Sequence, residues 1–267
     1  MLYEIKYTGA CLQGLIRRKN EDNICCDKEY LPIIHTDNTS GFEGSFTTGT
    51  VKRFAVFDGL GGEKSGEVAS HLAARTFSRY EIWPDIGFAE ETAQISDLMN
   101  QEVKLYARKN HIRNMGSTVT ALYFEKEEIR GFNLGDSRCY RWSSGTLQQL
   151  STDHVISDAF RNKSYLTQCI GYPDDSDRPA PSMYSAPYQE KDIYLLCTDG
   201  LTKMVSERRI AAVLGEKIPL SDKLEKLKNI VLRRGGEDNT TILLFEVGKA
   251  ARTPGRLLRN GLSFFRR

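Results

Sequence analysis

Residues 53–62 read RFAVFDGLGG, an apolar run with the composition of a buried strand that ends in Asp58-Gly59. An apolar run also meets an aspartate beside glycine or asparagine at IYLLCTDG (193–200), around Asp136 in GFNLGDSRCYRW, and at Asp238 before TTILLF. If these strand ends meet in space, carboxylates from distant parts of the chain converge. Carboxylate oxygens without histidine or thiolate partners are typical of a site for a hard cation such as Mg²⁺ or Mn²⁺.

The composition excludes several classes of protein. The chain has 267 residues, of which 40% are hydrophobic, and a formal net charge of +2, which is too small to indicate nucleic-acid binding. No apolar run reaches the about 20 residues that a membrane helix needs, and residues 1–14 lack the pattern of a secretory signal. The six cysteines show no CxxC spacing, which predicts buried free thiols in a reducing cytoplasm. The four histidines show no zinc-site spacing. We therefore expect a cytoplasmic protein, and a monomer.

The order of the predicted elements indicates an α+β fold. Helical periodicity appears from Val68 to Tyr80, over about 89–110, and at about 206–215 and 220–233. Strand-like runs occur at 53–57, 117–124, 128–134, 139–144, 146–150 and 193–197. Residues 27–51 indicate a hairpin or a long loop, and residues 153–187 an irregular segment. Because strands and helices alternate in blocks, helices packed outside two sheets fit better than a doubly wound parallel sheet.

Seven motifs follow one another in the order RRKNEDN, FAVFDGLGG, MGSTVTAL, NLGDSRCYRW, LSTDH, LLCTDGLTKMV and GGEDNTTILLF. This series resembles the metal-dependent protein phosphatases of the PP2C type, most closely their compact bacterial members. The resemblance covers about residues 9–247. It implies a four-layer αββα sandwich, in which two central, mostly antiparallel β-sheets are flanked by pairs of helices, and a phosphatase domain over residues 1–248.

The resemblance also implies a centre of two Mn²⁺ or Mg²⁺ ions. Asp58 would bridge the two ions, and the backbone carbonyl of Gly59 would be a further ligand. Asp199 and Asp238 would hold the first ion. Two cations about 3.5–4 Å apart neutralise a phosphate monoester and lower the pKa of a bridging water, so that hydroxide attacks phosphorus in line.

Four further roles come from the same resemblance. Glu21 would reach the second ion largely through water, and Asp22 would support that water shell. Asp136 would offer, with Asp199, a third and weaker metal site, although GDSR also fits a plain hairpin turn. Arg17 would bind the substrate phosphate with its planar guanidinium, although the RRK run also fits a solvated basic turn.

Other residues in the motifs favour structural roles. Asn239 is expected to cap the turn before the last strand, and His154 to make a structural hydrogen bond. Ser117 and Thr118 are expected to pack at a strand start. Leu60 stands where animal members carry a histidine, so the proton for the leaving oxygen must come from elsewhere. The flap segment VISDAFRNKS (155–164) is shorter than is usual in bacterial members, which predicts a more open cleft.

The implied function is the hydrolysis of phosphoserine and phosphothreonine in proteins, opposing a bacterial serine/threonine kinase. Two alternatives stay open: a non-catalytic module of the same fold that binds a phosphoprotein, and a two-metal hydrolase of another phosphoester. The tail at 249–267 carries six basic and no acidic residues. It is expected to be either a disordered terminus or a short amphipathic segment that contacts an anionic membrane or a partner protein.

Overall fold

The computed structural model describes residues 2–61, 65–83, 85–158, 163–171 and 178–250. The first half of the chain contains β1 (Tyr3–Leu12), β2 (Asp22–Cys26), β3 (Glu29–Tyr30), β4 (Asn38–Thr47), β5 (Lys52–Gly61), α1 (Gly66–Arg79), α2 (Phe88–Lys109), β6 (Met115–Ser117), β7 (Val119–Phe124) and β8 (Glu128–Leu134). The second half contains β9 (Arg138–Ser143), β10 (Thr146–Gln149), β11 (Val155–Asp158), β12 (Lys163–Leu166), β13 (Ser182–Pro187), β14 (Ile193–Cys197), α3 (Asp199–Met204), α4 (Glu207–Leu214), α5 (Leu220–Arg233) and β15 (Thr240–Lys249).

Two antiparallel sheets form the centre of the fold. Sheet I has the strand order β10-β9-β14-β15-β1-β4, and sheet II has the order β13-β8-β7-β5-β2-β3, with β6 paired to β5. Strands β11 and β12 form a separate hairpin. Both sheets combine strands from the two halves of the chain, so neither half can form its sheet alone.

Alternation along the strands explains why they are apolar throughout. In β5, Phe54 and Val56 join the core between the two sheets, whereas Ala55 and Phe57 pack against helices on the opposite face. Successive side chains of a strand point to opposite faces, so a strand covered on both faces is a continuous apolar run. The run at 54–57 is therefore hydrophobic without a period of two.

Helices cover the outer face of each sheet. Helices α1 and α2 bury residues such as Leu72 and Met99 against sheet II, and α4 and α5 bury residues such as Ile210 and Leu227 against sheet I. The short helix α3 adds Leu201 to the second of these cores. The predicted αββα sandwich is confirmed, with a third helix on sheet I beyond the expected pair.

One regional prediction was wrong, and another was incomplete. The segment at 153–187 contains the hairpin β11–β12 and the strand β13, which is the edge of sheet II. Its half-exposed pattern and terminal Pro187 are compatible with an edge position, which needs no buried apolar run. The segment at 27–51, predicted as a hairpin or a long loop, contains the second strand of the hairpin β2–β3 and also β4, a ten-residue edge strand of sheet I that was not predicted. There Gly44 leaves room for an aromatic ring, because a Cβ would lie 3.0 Å from Cε1 of Tyr7.

The cysteine prediction is confirmed, since all six are free and buried. No helix within the described ranges is both long and apolar enough to span a membrane. The phosphatase domain expected to end at 248 closes with β15, which runs to Lys249. Of the predicted tail, residues 251–267 lie outside the described residues.

Candidate active site

The predicted acidic residues come from both sheets and meet at one edge of the sandwich. Asp22 and Asp58 are direct partners in the antiparallel pair β2–β5 of sheet II. Asp199 follows β14, and Asp238 precedes β15, in sheet I. Burial, and then the charges of Asp22, Asp199, Asp136 and Asp238, raise the pKa of Asp58 well above its usual value. The convergence expected from the strand ends is therefore present.

The main chain at Asp58 is fixed by a neighbouring threonine. The N–H of Asp58 donates to Oγ1 of Thr118 at 3.0 Å, and the N–H of Thr118 donates to the carbonyl of Asp58 at 2.9 Å. Oγ1 of Thr118 also lies 2.7 Å from Oγ of Ser137, and both residues are buried. The structural role predicted for Thr118 is thus to hold the end of β5 in place.

Two other predicted ligands, the Glu21 carboxylate and the Gly59 carbonyl, lie beside each other. The N–H of Gly59 donates to the main-chain oxygen of Glu21 at 3.1 Å. A Cβ placed on Gly66 would lie 2.7 Å from Cδ of Glu21 and 2.9 Å from the Gly59 carbonyl oxygen. Burial, and then the charge of Glu67, raise the pKa of Glu21. A glycine at 66 is therefore needed for these oxygens to come together.

Asp22 lies beneath this edge and joins the two sheets. Its side chain accepts hydrogen bonds from Oγ1 of Thr198 at 2.8 Å and from Oγ1 of Thr241 at 2.7 Å. Only 1% of the residue is exposed, and burial is the main cause that raises its pKa to about 8. Its support of a water shell beside Glu21 stays a prediction. The hydrogen bonds to Thr198, which follows β14, and to Thr241 in β15 give it a role that the sequence did not indicate.

Asn239 holds the loop that carries Glu21, and does not cap the turn as predicted. Its Oδ1 accepts the N–H of Glu21 at 2.9 Å, and its Nδ2 donates to the carbonyls of Gln13 at 2.8 Å and Lys19 at 2.9 Å. The turn before β15 is instead closed by Asp238, whose Oδ1 accepts the N–H of Asn239. Asn239 therefore sets the position of the loop at 13–21.

Two basic side chains contact the carboxylates that lie next to strands of sheet I. Lys203 forms an ion pair with Asp199, which is one helical turn before it on α3, and its Nζ lies 3.3 Å from Oδ2 of Asp238. Nη2 of Arg17 lies 2.8 Å from Oδ1 of Asp238, which places Arg17 beside the acidic residues, and its binding of a substrate phosphate stays a prediction. Burial opposes the charge of Lys203, but Asp199, Asp238 and Asp58 together raise its pKa. Lys203 was not anticipated, and its spacing from Asp199 was the available signal.

Asp136 and His154 lie at the β8–β9 side of the site. Burial, followed by the charge of Asp199, raises the pKa of Asp136 to about 6. Nδ1 of His154 accepts the N–H of Gly135 at 3.2 Å, so Nε2 carries the proton and donates to Oγ of Ser182 at 2.8 Å. The structural hydrogen bonds predicted for His154 are confirmed. Asp153, the residue before His154, forms an ion pair with Arg138, in which Oδ2 of the aspartate lies 2.7 Å from Nη2 of the arginine.

The donor set fits a hard divalent cation. It consists of carboxylates and the carbonyl of Gly59, with no imidazole or thiolate, and magnesium and manganese prefer such oxygens. As they stand, however, no three acidic, histidine or cysteine side chains of the described ranges are placed to hold an ion. Lys203 forms ion pairs with both Asp199 and Asp238, and Arg17 forms an ion pair with Asp238. An ion at these two carboxylates would therefore require Lys203 to turn away.

Comparisons with known proteins agree with this fold and site. The family model for protein phosphatase 2C matches residues 42–232. The serine/threonine phosphatase stp of Listeria welshimeri is 30% identical over 88% of this chain and 92% of its own length. The protein phosphatase PhpP of Streptococcus pneumoniae is 27% identical over 72% of this chain and 84% of its own.

Solved structures share the fold at lower identity. The serine/threonine phosphatase of S. agalactiae has a TM-score of 0.74 and 22% identity, over 91% of this chain and 99% of its own. The catalytic domain of PstP, in complex with 2 manganese ions, has a TM-score of 0.73 and 24% identity, over 93% of this chain and 100% of its own. Together with the carboxylates that meet between the sheets, these likenesses lead to one conclusion: the chain belongs to the protein phosphatase 2C family.

Proposed function

We propose that this chain is a metal-dependent phosphatase that hydrolyses phosphoserine and phosphothreonine in proteins, with two Mn²⁺ or Mg²⁺ ions. The observation that carries the proposal is the meeting of Asp58 from sheet II with Asp199 and Asp238 from sheet I. The names of the bacterial relatives, serine/threonine phosphatases, support the substrate class.

The roles of the residues follow from their positions. Asp58, between the acidic groups of both sheets, would bridge the two ions. Asp199 and Asp238 would hold the first ion, Glu21 would reach the second largely through water, and the carbonyl of Gly59 would be a further ligand. When bound, the two cations neutralise the phosphate and lower the pKa of water enough to supply a nucleophile near neutral pH. We keep Asp136, with its raised pKa, as a weaker third position beside Asp199.

Arg17 is proposed to bind the phosphate of the substrate. Half of its side chain is exposed and its guanidinium lies at Asp238, so it can reach both solvent and the metal centre. A planar guanidinium donates two parallel hydrogen bonds to phosphate oxygens. Leu60 offers no proton to the leaving oxygen, and we propose that water in the site does so.

We also propose the substrates, the oligomeric state and the cellular compartment of this protein. Phosphoproteins, among them the targets of a serine/threonine kinase, would be the substrates, and the domain at 1–248 would act as a monomer. The six buried free thiols support a reducing compartment, for which we propose the cytoplasm. For the tail at 249–267 we keep both proposals, a disordered terminus and a short amphipathic segment that contacts an anionic membrane or a partner protein.

The test is phosphate release with and without Mn²⁺ from p-nitrophenyl phosphate, a phosphothreonine peptide, a phosphotyrosine peptide and a phosphodiester. We expect Mn²⁺-dependent turnover that favours phosphothreonine and is lost in Asp58→Asn, whereas Asp85→Asn, at an exposed turn, keeps it. Absence of turnover on every substrate would support the binding module. Preference for the diester would support the other hydrolase.

A further inference from the structure

A second cavity of about 230 Å³ lies next to the predicted phosphate and metal contacts. One wall comes from the loop at 13–21, through Arg18 and Lys19, and the other from the loop at 31–37, through Ile33 and Ile34. Glu67, in the first turn of α1, forms part of the lining. We call this cavity the isoleucine pocket. Glu67 directly follows Gly66, on which a Cβ would lie 2.7 Å from Cδ of Glu21, so the pocket adjoins the proposed metal site.

The loop at 31–37 is fixed to the loop at 13–21. Nδ2 of Asn20 donates to the carbonyl of Thr36 at 3.3 Å, and the N–H of Gln13 donates to Oδ1 of Asp37 at 2.8 Å. Within the loop, Nδ1 of His35 lies 2.8 Å from the carbonyl of Pro32 and therefore carries the proton. These contacts tie both walls of the pocket to the segment that carries Arg17 and Glu21.

The apolar wall is open to solvent. Ile34 is 88% exposed and Ile33 is 38% exposed, although both belong to a loop that hydrogen bonds hold in place. Contact between this exposed isoleucine and an apolar group of a ligand would lower the free energy, because it removes apolar surface from water. This wall therefore suits an aliphatic side chain of a ligand.

The lining also contains a hydrogen-bond acceptor that lacks a donor. One carboxylate oxygen of Glu67 pairs with Lys19, but Oε2 has no partner among the described residues, and only 8% of the residue is exposed. A buried acceptor without a donor is costly, and a main-chain N–H of a ligand would satisfy it. On the rim, the exposed guanidinium of Arg18 suits an anionic ligand such as a phosphopeptide.

We propose that the isoleucine pocket binds an aliphatic residue next to the phosphorylated residue of the protein substrate, with Glu67 accepting a main-chain N–H of the same segment. The pocket would thus select phosphorylation sites by a flanking apolar side chain. This inference rests on the proposed phosphatase function and adds a sequence preference to it.

The test compares two phosphothreonine peptides that are identical except that both flanking residues are leucine in one and serine in the other. For the wild-type protein with Mn²⁺, we expect kcat/KM to be about tenfold higher for the leucine peptide, the discrimination typical of an apolar pocket. In Ile34→Ser this ratio should fall to near one. The substitution is at an exposed position, so it leaves the core intact. Leu105→Ser, at an exposed position on α2, should keep the wild-type ratio.

The outcomes separate the two proposals. p-Nitrophenyl phosphate has no flanking residue and reports on the metal centre alone. Turnover of this compound with equal rates on the two peptides, or a leucine preference that survives Ile34→Ser, overturns the pocket and leaves the phosphatase function standing. Absence of turnover on p-nitrophenyl phosphate and on both peptides overturns the function and the pocket with it.

Discussion

Nζ of Lys203 lies 3.3 Å from Oδ2 of Asp238, and the same ammonium pairs with Asp199. The chain thus carries its own cation at the two carboxylates that are proposed to hold the first metal ion. Lys203 is on α3 one turn after Asp199, so a metal ion at these oxygens would have to displace its ammonium group. Lysine and metal therefore compete for the same oxygens.

Replacement of Lys203 by methionine should tighten the binding of Mn²⁺. We expect the dissociation constant to fall by roughly fivefold, because an exposed ion pair is worth up to about 1 kcal/mol. Isothermal titration calorimetry on chelator-treated protein measures this directly. Lys226→Met removes a comparable ion pair with Glu216 and should leave Mn²⁺ binding unchanged. Equal affinity of Lys203→Met and wild type would show that the lysine does not compete.

Replacement of Gly66 by alanine should weaken metal binding by more than about tenfold, which is a loss of about 1.4 kcal/mol. The new Cβ would lie 2.7 Å from Cδ of Glu21 and 2.9 Å from the Gly59 carbonyl oxygen, so the two oxygens must separate. Gly87→Ala, before α2, is the matched control, because a Cβ there meets nothing within 4 Å. Mn²⁺ titration of both variants measures the effect, and similar affinities for the two would contradict this geometry.

Replacement of Asn239 by alanine should destabilise the protein by about 1–3 kcal/mol, because it removes three hydrogen bonds to the partly buried main chain of the loop at 13–21. The variant should also lose activity, since the N–H of Glu21 is no longer held. Urea unfolding and steady-state kinetics provide the two readouts. Asn110→Ala, at the exposed end of α2, should cost much less. A loss of stability no greater than that of Asn110→Ala would show that Asn239 does not anchor the loop at 13–21.

The metal-free protein should become less stable as the pH rises from about 4 towards 8. The pKa of Asp22 is raised to about 8 and that of Asp136 to about 6, chiefly by burial. Between the ordinary value and the raised value the folded state binds more protons than the unfolded state, so unfolding becomes easier with rising pH. The protons that stabilise the folded state are bound at low pH and are released as the pH rises through about 6 for Asp136 and about 8 for Asp22.

Thermal melting in chelator across this pH range tests the prediction. Asp58→Asn should melt at a higher temperature than wild type at pH 8, because it removes one charge from the acidic cluster. Asp85→Asn should follow the wild-type curve. A melting temperature that rises with pH in the absence of metal would contradict the assignment of buried, mutually repelling carboxylates.

Site residues that directly follow a buried strand could be predicted from the sequence. Residues whose role depends on contacts with distant parts of the chain could not. Asp58 and Asp199 end apolar runs, and such runs are recognisable in a single sequence. The anchoring by Asn239 joins residues 218 positions apart, and no local pattern reports such a contact. The strand β13 was missed because an edge strand is half exposed and lacks the buried run that marks β5.

We propose that carboxylates of the two sheets together hold two ions. Anomalous diffraction from crystals of the chelator-treated protein soaked in Mn²⁺ tests this proposal. We expect two peaks about 3.5–4 Å apart, the distance typical of two-metal centres, with Asp58 bonded to both. One peak should also contact Asp199 and Asp238, and the other should lie at Gly59 and Glu21. A single peak away from Asp58, or none at saturating Mn²⁺, would contradict it.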